Sequence, residues 1–227
     1  MEIDGARILV TGGGRRLGAA IADDLAAGGA RVCITRHASP AGSRHLEVVA
    51  DLADPAECAR AVRDAHVALG GLDAVVHAAA SGFVRASLAD VTPALFEEAI
   101  GVTLRAAVFV AQAAAPLLTD GGAIVLVGDV AGVDGWASYL PHSVAKGGLR
   151  ALNRALARSL APRLRVALLL PGPVLPGEGD DPDRLAATVP LARLGAPSDV
   201  SAAVRYLLTA PYVTGVELPV DGGRLLG

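Results

Sequence analysis

The chain has 227 residues, 52% of them hydrophobic and 19% charged, and a formal net charge of -3. That is enough apolar material for a sizeable core, and the length suits one large α/β domain better than two small ones. With no basic excess to release counterions, a nucleic-acid or anionic-membrane surface is argued against, and no run approaches the roughly 18 apolar residues of a membrane span.

Short β-branched apolar runs alternate with longer Ala/Leu-rich stretches. The runs are RILV (7–10), RVCIT (31–35), LEVV (46–49), AVVH (74–77), AIVLV (123–127), RVALLL (165–170) and GVELPV (215–220). Each is nearly continuous in apolar residues, as expected of parallel strands covered by crossover helices on both faces. The predicted fold is a single α/β domain over residues 1–227 with a doubly wound, seven-stranded parallel sheet. Helices are predicted over 17–27, 55–69, 93–118, 139–160, 183–187 and 197–208.

The first run leads directly into TGGGRRLGAAIADDL, Thr11 to Leu25. Gly12 to Gly14 open backbone conformations closed to other residues and let the chain approach a pyrophosphate, and Gly18 lets the next helix pack close to the strand. The TGGGRRLG stretch resembles the TGxxxGxG turn of short-chain dehydrogenases/reductases, in the TGxxxRxG variant of the pteridine reductase branch, with Arg16 as the matching residue. The resemblance runs from ILVTGG to ELPVDGGRLLG. It implies a Rossmann fold, an oxidoreductase activity on a small molecule, and a nicotinamide dinucleotide lying on Gly12, Arg15, Arg16, Leu17 and Gly18.

The second run ends in ITRHAS, placing Arg36 and His37 where an NAD enzyme of this type carries a carboxylate for the ribose hydroxyls. A guanidinium there would pair with a 2′-phosphate, so NADP(H) is the expected cofactor. ADLAD after the third run resembles the family's Asp-Leu pair beside the adenine and assigns Asp51 and Leu52. The two cysteines, Cys33 in an apolar run and Cys58 in an Ala-rich helix, read as reduced thiols.

After the fourth run, HAAASGF (His77 to Phe83) stands where the family usually reads Asn-Asn-Ala-Gly. Ala78, Ala79 and Ala80 are small enough for the backbone to lie against a cofactor ribose, while His77 reads as a structural hydrogen-bonder. The family's catalytic group is an Asn, a Ser, and a Tyr four residues before a Lys. Here Thr103, Asp129, His142 and Lys146 occupy those places, and the pteridine reductases share the Asp.

Residues i and i+4 share one helix face, so His142 and Lys146 are expected to point together toward the nicotinamide. In the family the Lys holds the ribose and lowers the phenol pKa of the proton-donating Tyr. Beside an ammonium, His142 is expected to stay neutral and polarise the substrate as a hydrogen-bond donor. The proton would then come from Asp129, its pKa raised by burial, or from Tyr139, one helical turn before His142. Pro141 favours the first turn of that helix.

PGPV after the sixth run resembles the family's contact with the nicotinamide amide and assigns Pro171, Gly172 and Val174. The Pro/Gly-rich segment 171–183, at a carboxyl strand end, is the expected substrate loop, with Ser81, Phe83, Trp136 and Tyr139 lining the substrate pocket. Together these residues predict an NADPH-dependent reduction of a C=N or C=O bond in a small planar substrate, without a metal. A non-catalytic NADP(H)-binding sensor and a non-redox dehydratase or cyclase are the competing expectations, because function lies in the site and not in the fold. The resemblance also implies a homotetramer or homodimer joined through 93–118 and 139–160. MEIDGARILV has no basic region followed by a long apolar stretch, so a cytoplasmic location is expected.

Overall fold

All seven apolar runs become strands of one parallel sheet. In the computed structural model, which describes residues 1–37, 42, 44–177 and 179–227, these are β1 (Arg7–Thr11), β2 (Arg31–Arg36), β3 (Leu46–Val49), β4 (Leu72–His77), β5 (Leu118–Val127), β6 (Arg165–Pro171) and β7 (Glu217–Val220). Their order is β3-β2-β1-β4-β5-β6-β7, and every pairing is parallel. The chain begins mid-sheet, winds outward to β3, then returns past β1 and winds the other way. The direction reverses between β1 and β4, which leaves a crevice at their carboxyl ends.

The continuous apolar runs have a direct cause in the two packed layers. In β1, Leu9 faces a layer built with Ala61, Val62, Ala107 and Leu149, while Ile8 and Val10 face Ile21, Leu25, Val204 and Leu208 on the other side. Successive strand residues point to opposite faces, so a sheet covered on both sides needs an apolar residue at every position.

The helices are α1 (Arg16–Ala27), α2 (Pro55–Leu69), α3 (Pro93–Ala99), α4 (Ala106–Ala114), α5 (Ala131–Asp134), α6 (Leu140–Leu160), α7 (Pro182–Ala186) and α8 (Pro197–Thr209). Their ends follow local chemistry. Asp54 accepts a hydrogen bond from the Ala56 amide ahead of Pro55, and α2 stops at Gly70, whose φ is 73°.

The single helix predicted over 93–118 is broken in two. A π-helical segment, Ile100–Arg105, separates α3 from α4, and α4 ends at Ala114. Leu118 instead pairs with Leu72 as the first residue of β5. Its apolar side chain continued the helical pattern in the sequence, but it is buried against the sheet. Tyr139 is the residue preceding α6 and not part of it. Glu178, inside the predicted substrate loop, lies outside the described residues.

Cys33 and Cys58 are both free and buried, and burial pushes each thiol up to about 11. Among the described residues no helix is long and apolar enough to cross a membrane.

Candidate active site

The glycine turn after β1 is shaped by close backbone approaches. Gly12 has a φ of +66°, and a Cβ there would stand 2.7 Å from Ala79 Cα. A Cβ on Gly18 would lie 2.2 Å from the Gly12 carbonyl oxygen, so only glycine lets α1 start directly against the turn. The Gly12 amide donates to Thr35 Oγ1 at 3.0 Å, tying the turn to β2. Among the described residues no side chain caps the first amides of α1. Those amides and the helix dipole form the positive end of a twelve-residue helix at the crevice.

Arg16 has a φ of 49°, the left-handed region that glycine adopts freely and that costs other L-residues roughly 1–2 kcal/mol. Its guanidinium Nη2 donates across the crevice to the Leu175 carbonyl at 2.7 Å. Arg36, at the end of β2, donates from Nε to Glu47 Oε2 at 2.8 Å. Glu47 comes from β3, where it lies opposite Ile34. A carboxylate is therefore present beside Arg36, although the end of β2 itself carries none. Asp51 is exposed and accepts from the Ala53 amide at 3.0 Å, while Leu52 is buried and its carbonyl accepts from the Cys58 thiol.

The chemical centre gathers where β5 meets α5 and α6. Lys146 is buried, and its Nζ donates to the carbonyls of Val127 at 2.8 Å and Gly128 at 3.1 Å. Burial pulls its pKa down to about 8, with the Asp129 carboxylate opposing the shift. One turn earlier, His142 is 7% exposed. Its Nε2 stands 3.4 Å from Asp129 Oδ2, a charge-pair distance without hydrogen-bond alignment, and both ring nitrogens are buried without a hydrogen-bond partner among the described residues.

Asp129 Oδ1 accepts from the Ala131 amide at 2.7 Å, which holds the carboxyl at the entry to α5. Its side chain is 25% exposed, so it is not the buried carboxyl expected from the sequence. A Cβ on Gly132 would meet Lys146 C at 2.7 Å, so α5 and α6 pack backbone against backbone at this point.

Phe83 stacks on Tyr139 with centroids 4.2 Å apart and meets the His142 ring edge-on at 4.7 Å. Trp136 lies edge-on to both Phe83 and Tyr139 at 6.2 Å. Ser143 Oγ accepts from the Trp136 amide at 3.0 Å, which fastens the aromatic loop to the first turn of α6.

On the β4 side, Thr103 Oγ1 accepts from the Ser81 amide at 3.3 Å. The Thr103 carbonyl is 3.3 Å from His77 Nε2, and Thr11 Oγ1 is 2.9 Å from His77 Nδ1. With Nε2 donating to that carbonyl, Nδ1 accepts from the hydroxyl, and the ring is neutral. Burial and then the charge of Lys146 push its pKa down to about 4. His77 is thus a structural tie between β1, β4 and the π-helical segment.

Residues 13–224 match the family described as enoyl-(acyl carrier protein) reductase. The chain belongs to the short-chain dehydrogenase/reductase superfamily. It is 33% identical to carbonyl reductase family member 4 of Danio rerio, with 96% of this chain and 97% of that protein covered. It is 31% identical to the human 3-oxoacyl-[acyl-carrier-protein] reductase over the same shares of the two chains, 96% and 97%. A short-chain dehydrogenase from Burkholderia cenocepacia, crystallised in complex with NADP, superposes with a TM-score of 0.91 at 33% identity, covering 99% of this chain and 100% of that one.

This short-chain dehydrogenase/reductase is an oxidoreductase of the NAD(P)-dependent type, and its residues fit such a cofactor. The close backbone approaches at Gly12 and Gly18 bring the turn directly onto the start of α1, whose first amides have no side-chain cap among the described residues and suit a pyrophosphate. Pro171 and Gly172 form a turn pinned from below. The Val130 amide donates to the Pro171 carbonyl, the Gly172 amide donates to the Val220 carbonyl, and a Cβ on Gly172 would meet Asp221 Cα at 2.7 Å. Val174 is buried against the same side of the sheet.

The structure brings Asp129, His142, Lys146, Phe83, Trp136 and Tyr139 together, and it joins Thr103 to Ser81. Arg15 and His37 are exposed at the turn and at the end of β2, and Leu17 is half-buried. Sequence reasoning missed Glu47, Ser143 and Asp221. The first could be found only from cross-strand register, and the side-chain oxygens of the other two accept from backbone amides, contacts that no motif encodes.

Proposed function

We propose that the protein is an NADPH-dependent reductase of a C=O or C=N bond in a small planar substrate, in the manner of the pteridine reductases. One observation carries this reading. The imidazole of His142, buried and unpartnered at both nitrogens, sits 3.4 Å from the Asp129 carboxyl under a cover of aromatic rings. A buried polar group without a partner is costly, and it is supplied with one when a substrate oxygen or nitrogen arrives.

When bound, the nicotinamide supplies the hydride. The glycine turn and the start of α1 hold the pyrophosphate, Arg36 the 2′-phosphate, and Lys146 the ribose. His142 donates a hydrogen bond to the substrate heteroatom, polarising the bond to be reduced. Asp129, held through Oδ1 by the Ala131 amide, would supply the proton that the heteroatom takes up as hydride reaches the neighbouring carbon. The Phe83–Tyr139 stack and Trp136 offer flat apolar faces suited to a ring substrate. Thr103 organises the loop carrying Ser81 and Phe83.

The test is loss of NADPH absorbance with a panel of pterins, quinones, imines and ketones. His142→Phe and Asp129→Ala should each lower the rate by about 100-fold or more, the usual contribution of a positioned acid–base group. Full activity in both variants would remove these assignments. Tight NADPH binding without turnover on any member of the panel would favour a cofactor-sensing role.

A further inference from the structure

Arg16 combines two features that the reduction itself does not use. Its backbone occupies a left-handed conformation in the middle of the phosphate-binding turn. Its side chain reaches 159 residues along the chain to the Leu175 carbonyl, at 2.7 Å. Among the described residues from Leu175 to Asp180, this is the only hydrogen bond that arrives from outside the segment. The others, from the Gly177 amide to the Asp180 carboxylate and from the Asp180 amide to the Gly177 carbonyl, are internal.

A single exposed hydrogen bond offsets a strained backbone poorly. The guanidinium has five N–H donors, and the loop carbonyl uses one. The residue belongs to the turn whose geometry suits a diphosphate, and a guanidinium binds phosphate with paired, charge-assisted bonds.

We infer that Arg16 is a positioning residue that couples the phosphate turn to the substrate loop, holding a cofactor phosphate with one edge of its guanidinium and the Leu175 carbonyl with the other. The inference rests on the proposed reading of the turn as a dinucleotide site. Anion binding fixes the guanidinium, and a fixed guanidinium holds the loop against the crevice. Order at Leu175, Gly177 and Asp180 therefore depends on the cofactor.

Amide hydrogen exchange at Leu175, Gly177 and Asp180 tests this in the full chain with and without NADPH, while cofactor fluorescence reports binding separately. In the unaltered protein NADPH should slow exchange at these amides by about ten-fold, the effect of one retained charged hydrogen bond. Arg16→Gly suits the left-handed backbone and keeps the fold; it should bind NADPH more weakly for want of one phosphate contact and, with the cofactor at saturation, should still lose that protection. Arg16→Lys keeps the charge but not the planar fork and should recover only part of it. Equal protection in the unaltered and Arg16→Gly proteins, or none in either with NADPH bound, overturns the coupling and leaves the reductase reading intact. Failure of the unaltered protein to bind NADPH overturns both.

Discussion

His77 shows what a single residue tells and withholds. Its place at a strand end marked it as a structural hydrogen-bonder, yet its partners, a hydroxyl on β1 and a carbonyl in the π-helical segment, lie 66 and 26 residues away. Its folded pKa of about 4 lies below the ordinary 6.5, so between those values the unfolded chain binds a proton that the folded chain refuses. Stability from this group is therefore present above pH 6.5 and is lost as pH falls toward 4, by an amount on the order of 3 kcal/mol. Urea midpoints measured across that window should fall with acidity, and His77→Asn should flatten the fall even if it lowers the neutral-pH midpoint. An equally steep acid loss in the variant would assign the effect to other groups. His142 and Lys146 were legible because i,i+4 spacing fixes a common helix face. Glu47 was not, because its approach to Arg36 depends on which residue of β3 faces β2.

Strands and helices were legible where one physical cause dominates. Burial on both faces makes parallel strands unbroken apolar runs, and Asp54, Pro55 and Gly70 announce the limits of α2. The π-helical segment carries no such signal, since IGVTLR holds no proline and no side-chain cap to mark the change from i→i+4 to i→i+5 hydrogen bonds. The contact between α1 and its turn gives a sharper expectation. A methyl on Gly18 would sit 2.2 Å from the Gly12 carbonyl oxygen, a backbone atom that cannot step aside without reshaping the turn. Gly18→Ala should therefore destabilise the protein by about 1–3 kcal/mol, the usual range for overpacking. It should also weaken NADPH binding, as read by thermal unfolding and cofactor titration. Unchanged affinity would show that α1 can shift without disturbing the cradle.

Across the whole molecule, the crossover rule turns alternating runs into a doubly wound sheet, and the point where its winding reverses places the crevice. That much follows from order along the chain. The ties between distant segments do not. Asp221, just past β7, accepts from the amides of Gly223 and Leu225 at 2.9 Å each, and its backbone lies under Gly172, 49 positions earlier in the sequence. Asp221→Ala should cost about 1–3 kcal/mol in urea denaturation by leaving two amides unpaired, and it should raise the KM for NADPH by loosening the PGPV turn. An unchanged KM would limit Asp221 to holding the chain end.

The burial of both sulfur atoms has an experimental consequence. At about 11 for each, almost no thiolate exists near neutrality, and neither side chain can be reached by a bulky reagent. A single cysteine introduced at exposed Leu175 would thus be the one labelling point on a protein that is otherwise silent to maleimides, and a dye attached there could follow opening of the crevice in real time.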